Sequence, residues 1–232
     1  DDSVVNGVSV TRQSSWFQIG AKEGQRLLLR VSAEALDSRM SPVMLLRSGA
    51  GERLARANAD GLIDYTAPAD GNCFVQIHDA VFRGGTEYFF RLENSSGPHV
   101  DFISPPIVPS LSESEITLFG RNLPDSTPSG LKAADGQALE QLTIKISELS
   151  QTAQPGGVVL PPASVVLDGG VFRLAKGGIA SNPFFIGFRP GNPLTMEQGD
   201  NDTADRAQGI PAPGLIAGSF YPARDVDHFR FP

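Results

Sequence analysis

A period of two in side-chain polarity, concentrated between residues 62 and 92, limits what this chain can fold into. Apolar side chains alternate with polar or bulkier ones over residues 73–78 (CFVQIH) and again over residues 88–92 (YFFRL). This alternation is the pattern of a β-strand with one buried face. Because a loop closed by Gly84 and Gly85 separates the two runs, we interpret the stretch as a long β-hairpin.

The rest of the chain also favours short strands over helices. Its 232 residues include 25 Gly and 18 Pro, which interrupt long helices and suit strands joined by turns. Hydrophobic residues make up 40% of the chain and include 14 Phe, enough to build β-sheet cores. Strand signals recur roughly every 8 to 12 residues in the first part, as in a sandwich or jelly roll. We predict an all-β chain that begins with a jelly-roll β-sandwich over residues 1–97.

A break in this pattern marks a second unit. Residues 95–98 (SSGP) interrupt the strand signals, and three prolines between residues 105 and 109 stiffen the next segment. We predict an immunoglobulin-like β-sandwich over residues 98–190. Its predicted strands are residues 116–119, 142–146, 158–160, 165–167, 171–174 and 184–188, with a mobile loop at 151–157.

The end of the chain resembles its beginning. Aligning Phe229 with Phe17 brings Gly218 within one residue of Gly7, as an internal repeat would. We therefore predict that residues 191–232 are an acidic linker followed by the truncated start of a second jelly roll. Because the chain begins without Met and stops within a strand-like alternation, we expect it to be an excised piece of a longer protein.

Charge and cysteine content exclude several classes of function. The net charge is −7 and the sequence contains no basic stripe, which argues against nucleic-acid binding. Cys73 is the single cysteine, so no disulfide forms within the chain, and we interpret it as a buried free thiol. No run of about 18 apolar residues is present that could span a membrane.

The sequence does not indicate a catalytic centre. His78 beside Asp79 could be half of a Ser-His-Asp triad, but adjacent strand residues point to opposite faces and no G-x-S-x-G motif is present. We instead interpret His78, Asp79 and Arg83 as fastening their loop. The 3 His residues are dispersed and lack the spacing of zinc ligands. We predict that the chain is not an enzyme.

Several short motifs in about the first 95 residues resemble those of one known family. They are Trp16-Phe17, Gly24-Gln25 with residues 27–31, Leu54-Ala55, Pro68-Ala69-Asp70-Gly71, and Gly84-Gly85 before residues 88–92. They are similar to the bacterial pre-peptidase C-terminal (PPC) domain, a jelly-roll module appended to many secreted peptidases and related to the collagen-binding domain of clostridial collagenases. The segment GPHVDFISPP and the later segment ITLFGRNLP are similar to sequences in multi-domain proteins of planctomycete-type bacteria. In those proteins such modules alternate with an immunoglobulin-like domain. Residues 120–123 resemble such domains of the IPT/TIG kind.

The same resemblance implies a calcium site late in the chain. Residues 195–232 are similar to the opening of another PPC domain, whose acidic residues are metal ligands in the calcium-binding members. Carried over residue by residue, the expected ligands are Glu197, Asn201, Asp202, Asp225 and Asp227. Gly199 and Asp200 depart from the family pattern. In the first module, the positions that align with Asp225 and Asp227 are Gln13 and Ser15, so we expect no metal in the first module. The alternative is a solvated acidic linker.

These observations favour a non-catalytic accessory region of a secreted or cell-envelope-associated bacterial protein. We expect it to be a monomer that spaces or targets an attached domain towards an extracellular polymer or protein, with calcium stiffening its acidic segment. The alternative is a carbohydrate- or peptide-binding module of an extracellular hydrolase, for which a set of Arg and aromatic side chains would form the surface. Its members are Arg83, Arg91, Tyr65, Tyr88 and Phe89.

Overall fold

The computed structural model describes residues 2–110, 113–151, 168–176, 179–189, 191, 193–218 and 225–232. These residues form strands and three short 3₁₀ turns (Glu34–Leu36, Ile146–Glu148 and Ala204–Arg206), with no α-helix among them. The all-β prediction is confirmed. The chain forms two compact units, one of Asp1–Gly97 with Lys132–Gln137 and one of Pro98–Leu131 with Ala138–Pro232. Among the described residues, no helix is long and apolar enough to cross a membrane.

Strand pairing in the first unit is that of a jelly roll. Its described strands are β1 (Ser3–Val8), β2 (Ser15–Ala21), β3 (Arg26–Ser32), β4 (Pro42–Arg47), β5 (Arg53–Arg56), β6 (Leu62–Thr66), β7 (Gly71–Asp79) and β8 (Phe89–Ser95). They form two antiparallel sheets, in the orders β1-β8-β3-β6 and β2-β7-β4-β5. Strand 1 thus pairs with 8, 2 with 7, 3 with 6 and 4 with 5, as when one long antiparallel ribbon is wound into a sandwich.

The alternation in the sequence decides which side chains enter the core of this unit. On β7, Cys73, Val75 and Ile77 are buried and the residues between them are half-buried, as predicted. The β4 strand is covered on one face only, because Met44 and Leu46 are buried while their neighbours are half-buried. The core also receives these buried side chains from the opposite sheet: Leu27, Leu29, Val31, Ile63, Phe90 and Leu92.

The predicted hairpin over residues 62–92 is wrong. β7 pairs with β2 and β4, whereas β8 pairs with β1 and β3 in the other sheet, so residues 80–88 are a crossover between sheets. A period of two in side-chain polarity indicates that a strand has one buried face, but it does not indicate which strand is its partner. The strands were therefore recognisable while their pairing was not.

The second unit contains two further four-stranded sheets around a separate core. Its described strands begin with β9 (His99–Ser104), β10 (Ile107–Val108), β11 (Glu115–Arg121), β12 (Thr127–Lys132), β13 (Ala138–Lys145), β14 (Ser150–Gln151), β15 (Gly169–Arg173), β16 (Ala175–Lys176), β17 (Ile179–Ala180) and β18 (Phe184–Phe188). The sheets have the orders β12-β13-β11-β9 and β10-β18-β15-β14, and only the β10–β18 pair among them is parallel in the registers described. Val100, Leu118, Phe172 and Ile186 are among the buried core residues. Each sheet contributes to one core, which is the arrangement of a β-sandwich.

The last part of the second unit is built from two small parallel pairs. β19 (Leu194–Met196) pairs with β21 (Leu215–Ala217), and β20 (Gln208–Gly209) pairs with β22 (Phe229–Arg230). The strands predicted at 158–160 and 165–167 lie outside the described residues. So does the loop predicted at 151–157, except for Gln151, which belongs to β14.

Candidate metal centre

Three acidic side chains from two separate segments converge beside the small parallel pairs. Glu197 directly follows β19, and Asp225 and Asp227 precede β22. One carboxylate oxygen from each of the three lies within 4.8 Å of the corresponding oxygens of the other two, and all three residues are half-buried. Because like charges at this separation repel one another, the arrangement favours a bound cation.

The main chain around Glu197 is held by two neighbours. Its N–H donates to the Ala217 carbonyl at 2.9 Å, which extends the β19–β21 pairing by one residue. The Gln208 side chain donates to the Met196 carbonyl at 2.9 Å and accepts from the Gln198 N–H at 2.9 Å. The Glu197 side chain lies over Gly218, where an added Cβ would overlap its carboxylate. Gly218 therefore provides the space that the carboxylate occupies.

Asn201 connects this segment to the residues that follow Asp227. The His228 N–H donates to the Asn201 carbonyl at 2.9 Å, and the Asn201 side-chain amide donates to the His228 carbonyl at 3.5 Å. Asn201 is 1% exposed. Three of the buried side-chain atoms here have no hydrogen-bond partner in the described chain: Asn201 Oδ1, Asp227 Oδ1 and His228 Nδ1.

Unpartnered buried acceptors are uncommon, because each costs about 1–3 kcal/mol of desolvation. Two of the three atoms are oxygens, the ligand that Ca²⁺ prefers, and this ion takes 6 to 8 of them. The carboxylates of Glu197, Asp225 and Asp227 can offer up to six oxygens and the Asn201 amide one more. The residues present therefore fit the donor set of a calcium ion.

The structure brings together only part of the ligand set expected from the sequence. Glu197, Asp225 and Asp227 form the cluster, and Asn201 is attached next to it through His228. Asp202 is exposed and is not a member of the cluster. Sequence reasoning did not find Gln208, because its role depends on the β20–β22 register, in which Gln208 lies opposite Phe229.

One exposed carboxylate near the cluster has a perturbed pKa. The Thr203 hydroxyl donates to Asp205 and lowers the pKa of that carboxyl, helped by the residue's own N–H and by nearby His228. Asp205 thus stays ionised and adds negative charge to the segment between Asn201 and Gln208.

The pair His78 and Asp79 is structural in this fold. Asp79 is buried, and its carboxylate accepts hydrogen bonds from the N–H groups of Ser41, Val81 and Arg83 at 3.0, 3.1 and 3.0 Å. His78 Nδ1 lies 2.9 Å from the Asp79 backbone oxygen, and its ring stacks on Phe82. Because the carboxylate faces backbone donors and not the imidazole, it does not orient His78 as a triad aspartate would.

The Arg and aromatic set expected to form a recognition surface is dispersed. Tyr65 and Tyr88 pack against the core, and the Arg83 guanidinium lies 5.7 Å from the centre of the Tyr88 ring. Phe89 and Arg91 line a shallow groove of about 530 Å³ beside β1. This groove is mainly apolar and its lining contains no acidic residue or histidine.

The chain is similar in structure to known proteins, but it matches no protein family. No protein-family model and no curated protein matches the sequence. The chain is similar to PliG of Aeromonas hydrophila, a periplasmic inhibitor of g-type lysozyme, with 16% identity and a TM-score of 0.35 over 40% of this chain and 84% of that one. It is similar to the pre-peptidase C-terminal domain of collagenase from Bacillus anthracis, with 10% identity and a TM-score of 0.34 over 40% and 89%. It is also similar to the Yersinia pseudotuberculosis-derived mitogen, with 13% identity and a TM-score of 0.32 over 41% and 85%.

Proposed function

We propose that this chain is a non-catalytic accessory region of a secreted bacterial protein, which spaces or targets an attached domain and is stiffened by calcium. The observation that carries the proposal is the cluster of Glu197, Asp225 and Asp227 together with the buried oxygens of Asp227 and Asn201 that have no hydrogen-bond partner among the described residues. A cation would relieve both the mutual repulsion of the carboxylates and the desolvation cost of the unpartnered oxygens.

Calcium at this position would stiffen the chain because its ligands are far apart in sequence. An ion held by Glu197 on one side and by Asp225 and Asp227 on the other would add a link between two segments, which the described chain already joins through the short β20–β22 pair and the hydrogen bonds between Asn201 and His228. Binding to the folded form alone stabilises it by mass action. Calcium would therefore be a structural ion that holds the two segments together, and it would take part in no reaction.

The same proposal includes the identity of the modules. We infer that residues 1–97 are a PPC-like jelly roll, residues 98–190 an IPT/TIG-like sandwich, and residues 191–232 the start of a second PPC-like domain. The strand pairing of the first unit and its short motifs similar to those of the PPC domain support the first assignment. The use of Asp79 for backbone hydrogen bonds supports a non-catalytic role for this unit.

A second candidate function is binding of a carbohydrate or peptide by the first unit. Trp16 favours it, because this residue is 53% exposed on the solvent side of a sheet. Large exposed aromatic side chains on a sheet face are typical of recognition surfaces.

Calorimetric titration with CaCl₂ tests the calcium proposal. The full chain, stripped with EDTA, should bind Ca²⁺ saturably and melt at a higher temperature in its presence. Asp227→Asn, which keeps the shape of the side chain, should weaken binding at least tenfold. Asp202→Ala, an exposed acid in the same segment, should leave the affinity unchanged. Absence of both heat and stabilisation, or equal losses in the two variants, would reject the site.

A further inference from the structure

The solvent-facing side of the β2-β7-β4-β5 sheet, here named the outer face, carries two rows of side chains across all four strands. In the first row lie Trp16, Gln76, Leu45 and Arg56. In the neighbouring row lie Gln18, Phe74, Arg47 and Arg53. The residues between the two rows on β4 and β7, Leu46 and Val75, point into the core.

The two rows contain 3 arginines and no acidic residue. Arg47 is the register partner of Arg53 on the neighbouring strand, next to an irregularity in the pairing, and like charges held close together across two strands destabilise a sheet. Arg47, Arg53 and Arg56 take part in none of the ion pairs found in the described chain. In a chain of net charge −7, this positive face is complementary to an external anion.

Arg47 is held in place by uncharged partners. Its Nε donates to the Gln76 side-chain oxygen at 2.8 Å, and its Nη1 donates to the Gly51 carbonyl at 2.8 Å. Gln76 in turn donates to the Ser14 hydroxyl at 3.0 Å. These bonds orient the guanidinium without neutralising it, and they use two of the five N–H donors that an arginine carries. The remaining donors can form the paired hydrogen bonds that a carboxylate accepts.

Trp16 adds a flat apolar surface to the first row, at the end opposite Arg56. It is 53% exposed, and an indole ring in this position can stack against the C–H face of a sugar ring. With neighbouring strands spaced by about 4.8 Å, the distance from β2 to β5 is about 14 Å, which is enough for several linked units of a polymer.

We propose that the outer face binds a linear polysaccharide that carries carboxylate groups. This inference rests on the second candidate function above and names its ligand class. An extended peptide is disfavoured, because peptides that add to a sheet use the backbone groups of its edge, whereas these rows cross the strands.

Trp16 is the only tryptophan of the chain, so its fluorescence reports directly on this surface. The test titrates the full chain with polygalacturonate fragments at low salt, in EDTA so that calcium plays no part. Affinity electrophoresis in gels containing the same polymer provides a second measurement. We expect saturable binding that Arg53→Gln with Arg56→Gln weakens at least tenfold. Lys22→Gln with Arg39→Gln, an equal charge change at exposed positions outside the two rows, should stay within about twofold of the original chain.

Three results would overturn the proposal. Equal binding of neutral dextran would leave a carbohydrate-binding function but reject the anionic ligand. Tighter binding of poly-L-glutamate would assign the face to acidic peptides. A chain with no fluorescence change and no retardation by any of these polymers would reject both the ligand and the second candidate function, while the calcium titration would be unaffected.

Discussion

Asp79 Oδ1 accepts a hydrogen bond from the Arg83 N–H at 3.0 Å, and the guanidinium Nε of the same residue lies 3.5 Å away. This contact closes the crossover between the two sheets of the first unit. We predict that Asp79→Ala lowers the free energy of unfolding by on the order of 3 kcal/mol, because it leaves three N–H groups without their acceptor. Urea denaturation measures this loss. Asp60→Ala, at an exposed position in a turn of the same unit, should change stability by less than about 0.5 kcal/mol.

The same carboxylate makes the first unit sensitive to acid. Burial alone would raise the pKa of Asp79, but hydrogen bonds from the N–H groups of Arg83, Ser41 and Val81, with the Arg83 charge, lower it overall. A lowered pKa in the folded state gives stability that is complete above the unfolded value, about 3.9, and is lost as the pH falls through the folded value. The difference in unfolding free energy between the original chain and Asp79→Asn should therefore shrink below about pH 4. A difference that stays constant down to pH 2 would contradict this cause.

The ion pair of Arg121 and Asp101 should be among the most sensitive positions of the second unit. Arg121 is fully buried, and its Nε and Nη2 donate to the two Asp101 oxygens at 3.2 and 3.1 Å. Asp101→Ala removes both of these hydrogen bonds and the negative charge beside a buried guanidinium, so we expect a loss of about 3–5 kcal/mol.

An exposed pair provides the control for this measurement. Arg91 and Glu93 lie 4.0 Å apart with side chains 41% and 36% exposed. Glu93→Ala should cost less than about 1 kcal/mol, because water screens such a pair. Similar losses from the two substitutions, measured by denaturant unfolding, would show that burial does not set the importance of the Arg121 pair.

Gly218 should control the metal centre without contributing a ligand. A methyl group there would displace the Glu197 side chain, so we expect Gly218→Ala to weaken Ca²⁺ binding at least tenfold. Gly199→Ala is the matched control, because an added Cβ at that position meets no atom of the described residues within 4 Å. Calorimetric affinities of the two variants make the comparison. An unchanged affinity in Gly218→Ala would mean that Glu197 is not needed in its present position.

Cys73 should be chemically inert in the folded chain. The thiol is buried among core residues, and this burial raises its pKa. Because the thiolate is the reactive form, we expect a thiol reagent at pH 8 to modify the native chain at least about a hundredfold more slowly than the urea-unfolded chain. Rapid modification of native protein would show that β7 opens far more readily than its burial implies.

The sequence predicted strands better than it predicted their partners. Alternation identified β7 and the buried positions of Cys73, Val75 and Ile77, since it reflects one strand and one core. The pairing of β1 with β8 joins residues more than 80 positions apart, such as Ser3 with Asn94, and no local pattern encodes such a contact. The hairpin interpretation was wrong for this reason.

The candidate metal centre follows the same division. The resemblance to the PPC domain predicted Glu197, Asp225 and Asp227 as ligands, because the positions of acidic residues can be read directly from the sequence. The contributions of Gln208 and Gly218 depend on register and on the space between side chains, which only coordinates give. Asp202 could not be separated from the others by sequence, because its exposure depends on how residues 201–206 turn.

The pairing of β1 with β8 also determines how the first unit would respond to tension. Ser3 lies opposite Asn94, and the Asp2 carboxylate accepts hydrogen bonds from the N–H and hydroxyl of Ser96, so the two ends of the segment 2–96 lie at the same end of one strand pair. A pulling force applied at these two points would load one hydrogen bond after another and would peel the strands apart. Single-molecule pulling should therefore show unfolding at low force, and a force as high as that of sheared strands would contradict this mechanism. A spacer built from such units would lengthen under tension, because its units would unfold before the chain itself ruptured.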